Sequence, residues 1–135
     1  KWEFRQLIEE ELMDYARIDL CIVGGLTEAR KIAGWCETHY IKIAPHNPLG
    51  PVCAAASLHL DLATDNFGVQ EMWHGRTAFL ADLFPVQVPY EAGHLLPPDL
   101  PGLGIEFDEE AAANYSYQPN SGPRLRRSDG SLTNW

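Results

Sequence analysis

Three side chains in this sequence are spaced as proton-transfer chemistry requires: Asp19, His46 and Glu71. The sharpest signal is Ala44-Pro45-His46-Asn47-Pro48-Leu49-Gly50-Pro51, where a histidine stands between two prolines directly after the run Tyr40-Ile41-Lys42-Ile43-Ala44. Pro45 cannot donate to a strand ladder and Pro48 fixes the next turn, so a strand must end there. His46 is thereby presented on a stiff loop at a strand's C-terminal end, where α/β enzymes keep their chemistry. Asp19 closes the run Tyr15-Ala16-Arg17-Ile18, and Glu71 closes Phe67-Gly68-Val69-Gln70, so the three residues occupy equivalent strand ends. With neighbouring parallel strands roughly 5 Å apart, Asp19 and His46 fall within hydrogen-bond reach. A carboxylate accepting from one imidazole nitrogen fixes the tautomer and makes the other nitrogen a general base, able to take a proton from carbon beside a carboxylate. Glu71, one strand further, could hydrogen-bond the oxygen on which charge develops, provided it is protonated or shares a proton.

Each residue also has an ordinary structural reading. An Asp before an apolar pair can cap or turn, a His between prolines can brace a loop, and a Glu at a strand end can simply be solvated. Placement at three successive strand ends is what favours chemistry. His74, in Glu71-Met72-Trp73-His74, could line the mouth of a site, whereas His39, His59 and His94 read as helical or surface residues. Gly24-Gly25 lies outside any GxGxxG or GxxxxGK[ST] pattern, so a nucleotide site is poorly supported. A bare glycine pair better serves a close pass of backbone and helix N-terminus beside a ligand or a neighbouring loop.

The elements that must position these groups alternate along the chain. Phe4, Leu7, Ile8 and Leu12 recur at helical spacing, predicting a helix from Glu3 to Met13 with a solvated acidic face. After the first strand, Thr27 can cap a helix whose apolar stripe is Ala29, Ile32, Ala33 and Cys36, with Trp35 on its flank. Strand Tyr40 to Ala44 follows, then a helix from Val52 to about Ala63, a turn at Asp65-Asn66, and the strand ending at Glu71. Such alternation predicts parallel α/β architecture, yet three strands cannot close a barrel or cover both faces of a parallel sheet. Beyond Glu71 periodicity stops: residues from Trp73 to Pro101 are mixed, Pro101 to Ile105 turns into an extended piece, and Asp108 to Ala113 suits a brief helix. The expected organisation is therefore a C-terminal portion of a barrel domain over 1–72 and a wrapping tail over 73–135.

Composition narrows the class. The chain has 135 residues, a net charge of -9, and no apolar run of the ~18 residues a membrane span needs. Acidity disfavours nucleic acid, and Arg124, Arg126 and Arg127 are too few to form a binding face. The first residues carry no apolar signal core, and an odd number of cysteines (Cys21, Cys36, Cys53) suits reduced thiols better than a disulfide framework. A cytoplasmic location is the expectation.

These residues resemble the C-terminal part of the enolase superfamily, in its mandelate racemase-like branch, and within it the acid-sugar dehydratases. The match is carried by Asp19 to Glu28, by Ala44 to Pro51, by Gln70-Glu71, by Pro101-Gly102-Leu103-Gly104-Ile105-Glu106, and by Asp129-Gly130-Ser131 with Trp135. The resemblance implies the last three strand units of a modified TIM barrel, (β/α)7β, plus a C-terminal tail. It implies that Asp19 and His46 are a catalytic dyad with His46 as acid/base, and that Glu71 meets the substrate carboxylate or enediolate. Pro48 and His74 would then line the substrate side. It further implies magnesium, whose three ligands lie on earlier barrel strands before Lys1, as does the N-terminal capping domain. No residue present is assigned as a metal ligand. The implied activity is dehydration of a sugar acid to a 2-keto-3-deoxy acid, in a homo-oligomer. The alternatives are a racemase or epimerase of the same superfamily, or an inactive fragment with a structural or binding role. Arg17-Ile18 departs from the Gln-Pro that often precedes the dyad aspartate, and residues 73–79 depart from the galactonate pattern, leaving sugar specificity open.

Overall fold

Two short parallel strands and the helices packed on them carry the strand-end residues. The computed structural model describes residues 1–72, 80–119 and 125–133. Its elements are α1 (Phe4–Glu9), β1 (Tyr15–Ala16), α2 (Leu20–Val23), α3 (Gly25–Glu37), β2 (Lys42–Ile43), α4 (Pro51–Leu62), β3 (Tyr90–Glu91), β4 (His94–Leu95) and α5 (Glu109–Ala112). β1 and β2 pair in parallel with Tyr15 opposite Lys42 and Ala16 opposite Ile43. Ile43 also bridges Phe67 in parallel, so the expected order of three neighbouring strand units is present. The helices cover one side of the strands, packing Ile8, Ala29, Ile32, Cys36 and Leu60 into one core with Ile18 and Ile43, all at 2 % exposure or less.

Several boundaries differ from expectation, each for a physical reason. The first helix ends at Glu9 rather than Met13, because Glu11 takes a left-handed φ of 52°. The Leu12 N–H then bonds the Leu7 carbonyl and the Glu11 N–H bonds that of Ile8, the paired closure that stops a helix without glycine. The same closure ends the turn after α3: Ile41 N–H reaches Cys36 O, Tyr40 N–H reaches Glu37 O, and Tyr40 has φ 57°. Tyr40 therefore belongs to the helix exit, and the second strand starts at Lys42.

Leu20–Val23, an apolar stretch after Asp19, is a one-turn helix. Gly24, at φ 106°, both closes that turn and opens α3, a conformation that favours glycine. Thr27 consequently lies inside α3 instead of capping it, and α3 has no side-chain cap. The Phe67 to Gln70 segment is one bridge rather than a regular strand, though Gly68 N–H bonds Ile43 O and Glu71 N–H bonds Pro45 O. Gly68 is required by packing: a Cβ there would stand 2.7 Å from the Tyr15 ring.

The tail holds an unforeseen hairpin, β3 against β4, turned by Ala92 and Gly93 at φ 48° and 87°. α5 forms where expected, its Asp108 carboxylate accepting from the Ala111 N–H at 2.8 Å. Among the described residues the parallel pairing does not close into a barrel, and Tyr15, Phe67 and Val69 are exposed. The accessible surface of 9645 Å² exceeds the roughly 7,100 Å² of a compact monomer of this mass, as an open part of a barrel should. No helix among the described residues is long and apolar enough to cross a membrane.

Candidate active site

Register brings the site together. The offset of 27 residues that sets Tyr15 opposite Lys42 also sets Asp19 opposite His46, and the ladder continues through Ala44 N–H to Ala16 O and His46 N–H to Ile18 O. Asp19 and His46 meet as expected, with Nδ1 at 3.0 Å from Asp19 Oδ2. The capping alternative for Asp19 is also realised, by its other oxygen: Oδ1 accepts from the Cys21 N–H at 2.8 Å, making Asp19 the N-cap of α2. Asp19 is 8 % exposed, so this double use locks its carboxylate and, through it, the imidazole plane. His46 Nδ1–H donating to Asp19 leaves Nε2 as the atom free to exchange a proton.

Glu71 closes the far side. Its Oε2 lies 3.5 Å from His46 Nε2, accepts from the Asn47 N–H at 3.1 Å, and accepts from Arg17 Nη2 at 2.5 Å. Desolvation pushes its carboxyl upward, but the Asn47 N–H, the Arg17 guanidinium and the His46 charge together hold it below the usual carboxylate range. Glu71 is therefore a carboxylate here. In this arrangement Glu71 offers an acceptor to Nε2, the position from which it can share a proton with His46.

Two contributors were not singled out from the sequence. Arg17 reaches Glu71 because strand alternation puts it two residues from Asp19 on the same face, the one sequence signal for its part in the site. Asn47 is 1 % exposed, and its Oδ1 accepts from the Leu49 and Gly50 N–H groups at 3.4 and 3.3 Å. It pins the turn around Pro48, which is half-buried there. His74 falls outside the described residues. His59 lies in α4, and His39 Nδ1 contacts the Trp35 carbonyl, in keeping with structural roles.

Among the described residues, one group of three metal-capable donors converges: Asp19, Cys21 and Cys53. Two sulfurs and one carboxylate do not suit magnesium, which takes hard oxygen ligands in an octahedron. Burial, with Cys21 beside it, pushes the Cys53 thiol up to about 12, so only an ion with a strong preference for sulfur would displace its proton. The cluster is therefore no magnesium site. A largely apolar cavity of about 300 Å³, lined by Leu20, Cys21, Leu49, Cys53 and Phe84 among others, opens beside the pair.

A half-open parallel β/α unit with an Asp–His pair at adjoining strand ends defines a barrel-type site. Residues 1–111 match the family described as Enolase C-terminal domain-like, and the chain belongs to that family, in the mandelate racemase/muconate lactonizing branch of the enolase superfamily. It is 43% identical to a D-galactonate dehydratase family member of Streptomyces bingchenggensis over 99% of this chain and 33% of that protein. A D-mannonate dehydratase of Caulobacter vibrioides is 40% identical over 99% of this chain and 34% of its own length. The chain thus spans about a third of the curated relatives it matches. Among solved structures, an enolase from Pantoea ananatis with bound D-gluconate and magnesium aligns at TM-score 0.80 and 35% identity, covering 87% of this chain and 29% of that one. An Agrobacterium radiobacter enolase, a putative galactarate dehydratase bound to sodium and L-malate, aligns at TM-score 0.86 and 31% identity, covering 96% and 36%. These alignments establish the fold as a C-terminal portion of the enolase-superfamily barrel.

Proposed function

We propose that the protein to which these residues belong is an acid-sugar dehydratase of the galactonate/mannonate type, and that Asp19, His46 and Glu71 form its proton-transfer edge. The single observation that carries this is the His46 Nδ1 to Asp19 Oδ2 contact of 3.0 Å, at strand ends set by register, in a chain similar to dehydratases over its full length. Residues 1–72 would supply the last strand units of the barrel and 73–135 a tail packing on it and on a capping domain.

In this reading the α proton of a 2,3-dihydroxy acid passes to His46 Nε2. Asp19 holds Nδ1–H and with it the ring orientation. The C–H electron pair moves into the developing enolate, the β C–O bond breaks, and hydroxide takes a proton and leaves as water. The resulting enol becomes a 2-keto-3-deoxy acid. Glu71, fixed by Asn47 and Arg17, accepts from Nε2–H once the proton has arrived. A magnesium ion would stabilise the enolate in such an enzyme; the donors described above do not fit it, and its ligands are proposed to lie on other barrel strands.

The test is incubation of the intact protein with a set of aldonic acids, followed by mass spectrometry. Loss of one water with formation of a 2-keto acid is expected, and His46→Asn should slow α-proton exchange by about 10²–10⁴. Unchanged product mass would point to racemisation or epimerisation instead. Wild-type exchange in the variant would return His46 to the role of a loop brace.

A further inference from the structure

The thiols beside the dyad are used neither by proton transfer nor by the core stripe. Asp19, Cys21 and Cys53 bring a carboxylate oxygen and two sulfurs within 4.8 Å of one another. Their convergence is a product of the fold: Cys21 rides in the turn that Asp19 caps, and Cys53 stands in the first turn of α4, immediately after the proline-rich loop that carries His46. Cys53 is 4 % exposed, and its Sγ donates weakly to the His46 carbonyl at 3.9 Å. Cys21 is exposed, and both sulfurs line the cavity of about 300 Å³, which gives a small ion a route to them. All three cysteines are free, so no disulfide competes for these sulfurs.

Two sulfurs and an oxygen form a ligand set for a borderline or soft dication. Zinc holds sulfur at about 2.3 Å, so the three donors need only a modest inward closure to surround one ion. We propose that Asp19, Cys21 and Cys53 form a thiophilic-metal site, taking Zn²⁺ or Cd²⁺ with water as the fourth ligand, and that its occupation competes with His46 for Asp19. On binding, two S–H protons pass to solvent and two metal–sulfur bonds form, with no change of oxidation state. An Asp19 carboxylate committed to a dication is a poorer acceptor for His46 Nδ1–H, so the imidazole loses the contact that orients it. The site is distinct in donor chemistry from the magnesium that the superfamily resemblance implies. The binding claim stands independently of the dehydratase reading.

The experiment is titration of the full chain with CdCl₂ under a non-thiol reductant, following the ultraviolet charge-transfer absorption of cadmium–thiolate bonds. The band should saturate at one cadmium per chain, survive a large excess of MgCl₂ and be displaced by ZnCl₂. Cys21→Ser should abolish it. Cys21 is exposed, so that variant keeps the core, and an unchanged near-ultraviolet circular dichroism spectrum checks this. Cys53→Ala, a small truncation at a buried position, should abolish it as well. A band of undiminished amplitude in folded Cys21→Ser, or one removed by MgCl₂, would overturn the proposal.

Discussion

Asp61 provides the most demanding test of the energetics of this fold. It sits in α4 at 7 % exposure, and neither carboxylate oxygen has a hydrogen-bond partner among the described residues. It lines a cavity of about 380 Å³ together with Leu58, Phe67, Gln70 and His94. Desolvation without compensation pushes its carboxyl from 3.8 to about 7. The folded chain therefore binds this proton more tightly than the unfolded chain does. The contribution to stability is fully present below the unfolded value and is lost as pH rises from about 4 to about 7, staying level above that. At about 1.4 kcal/mol for each tenfold change in acidity, the shift from 3.8 to about 7 makes the loss about 4 kcal/mol. Asp61→Asn keeps the shape and removes the charge. Urea unfolding of wild type and variant at about pH 5 and pH 8, followed by tryptophan fluorescence, should show a pH-dependent fall that the variant lacks. The depressed Glu28, held to about 2 by hydrogen bonds from Lys1 and Lys31, titrates below this window and does not confuse it. Equal slopes for wild type and Asp61→Asn would refute the reasoning, since the desolvated carboxylate would then cost nothing.

Arg17→Met removes the side-chain donor that, with the Asn47 N–H, holds Glu71 as a carboxylate. The Glu71 carboxyl should move up toward its ordinary range, read by carbon-13 chemical shift across a pH series; an unmoved titration would mean that the Asn47 N–H and His46 suffice. The same loosening should slow turnover of the intact protein without unfolding it. Gly68→Ala places a Cβ 2.7 Å from the Tyr15 ring and 3.2 Å from the Ile43 carbonyl, and should destabilise by about 1–3 kcal/mol. Adding Tyr15→Ala should recover part of that loss in urea unfolding, and the absence of any recovery would place the strain elsewhere.

What the sequence alone determined was where extended chain must stop and which face of each helix is apolar. Pro45 and Pro48 end a strand whatever surrounds them, so His46 had to stand at a strand end, and the period of Ala29, Ile32, Ala33 and Cys36 identified the buried side of α3. The Asp19–His46 contact was legible because parallel pairing turns two strand ends into neighbours. Tertiary structure decided what depends on register, on left-handed residues and on sharing. Helix exits at Glu11 and Tyr40 use positive φ without glycine, so no local signal announced them. Asp19 divides its oxygens between a cap and a histidine, a choice that exists only once α2 and β2 adjoin. Glu71 became an acceptor because Arg17 and Asn47, 54 and 24 residues away in sequence, converge on one oxygen. Cys21 and Cys53 meet only because α2 and α4 pack at the same strand ends. Local chemistry encodes where segments break; which side chains then share a proton or a metal is decided by the through-space pairing that folding creates.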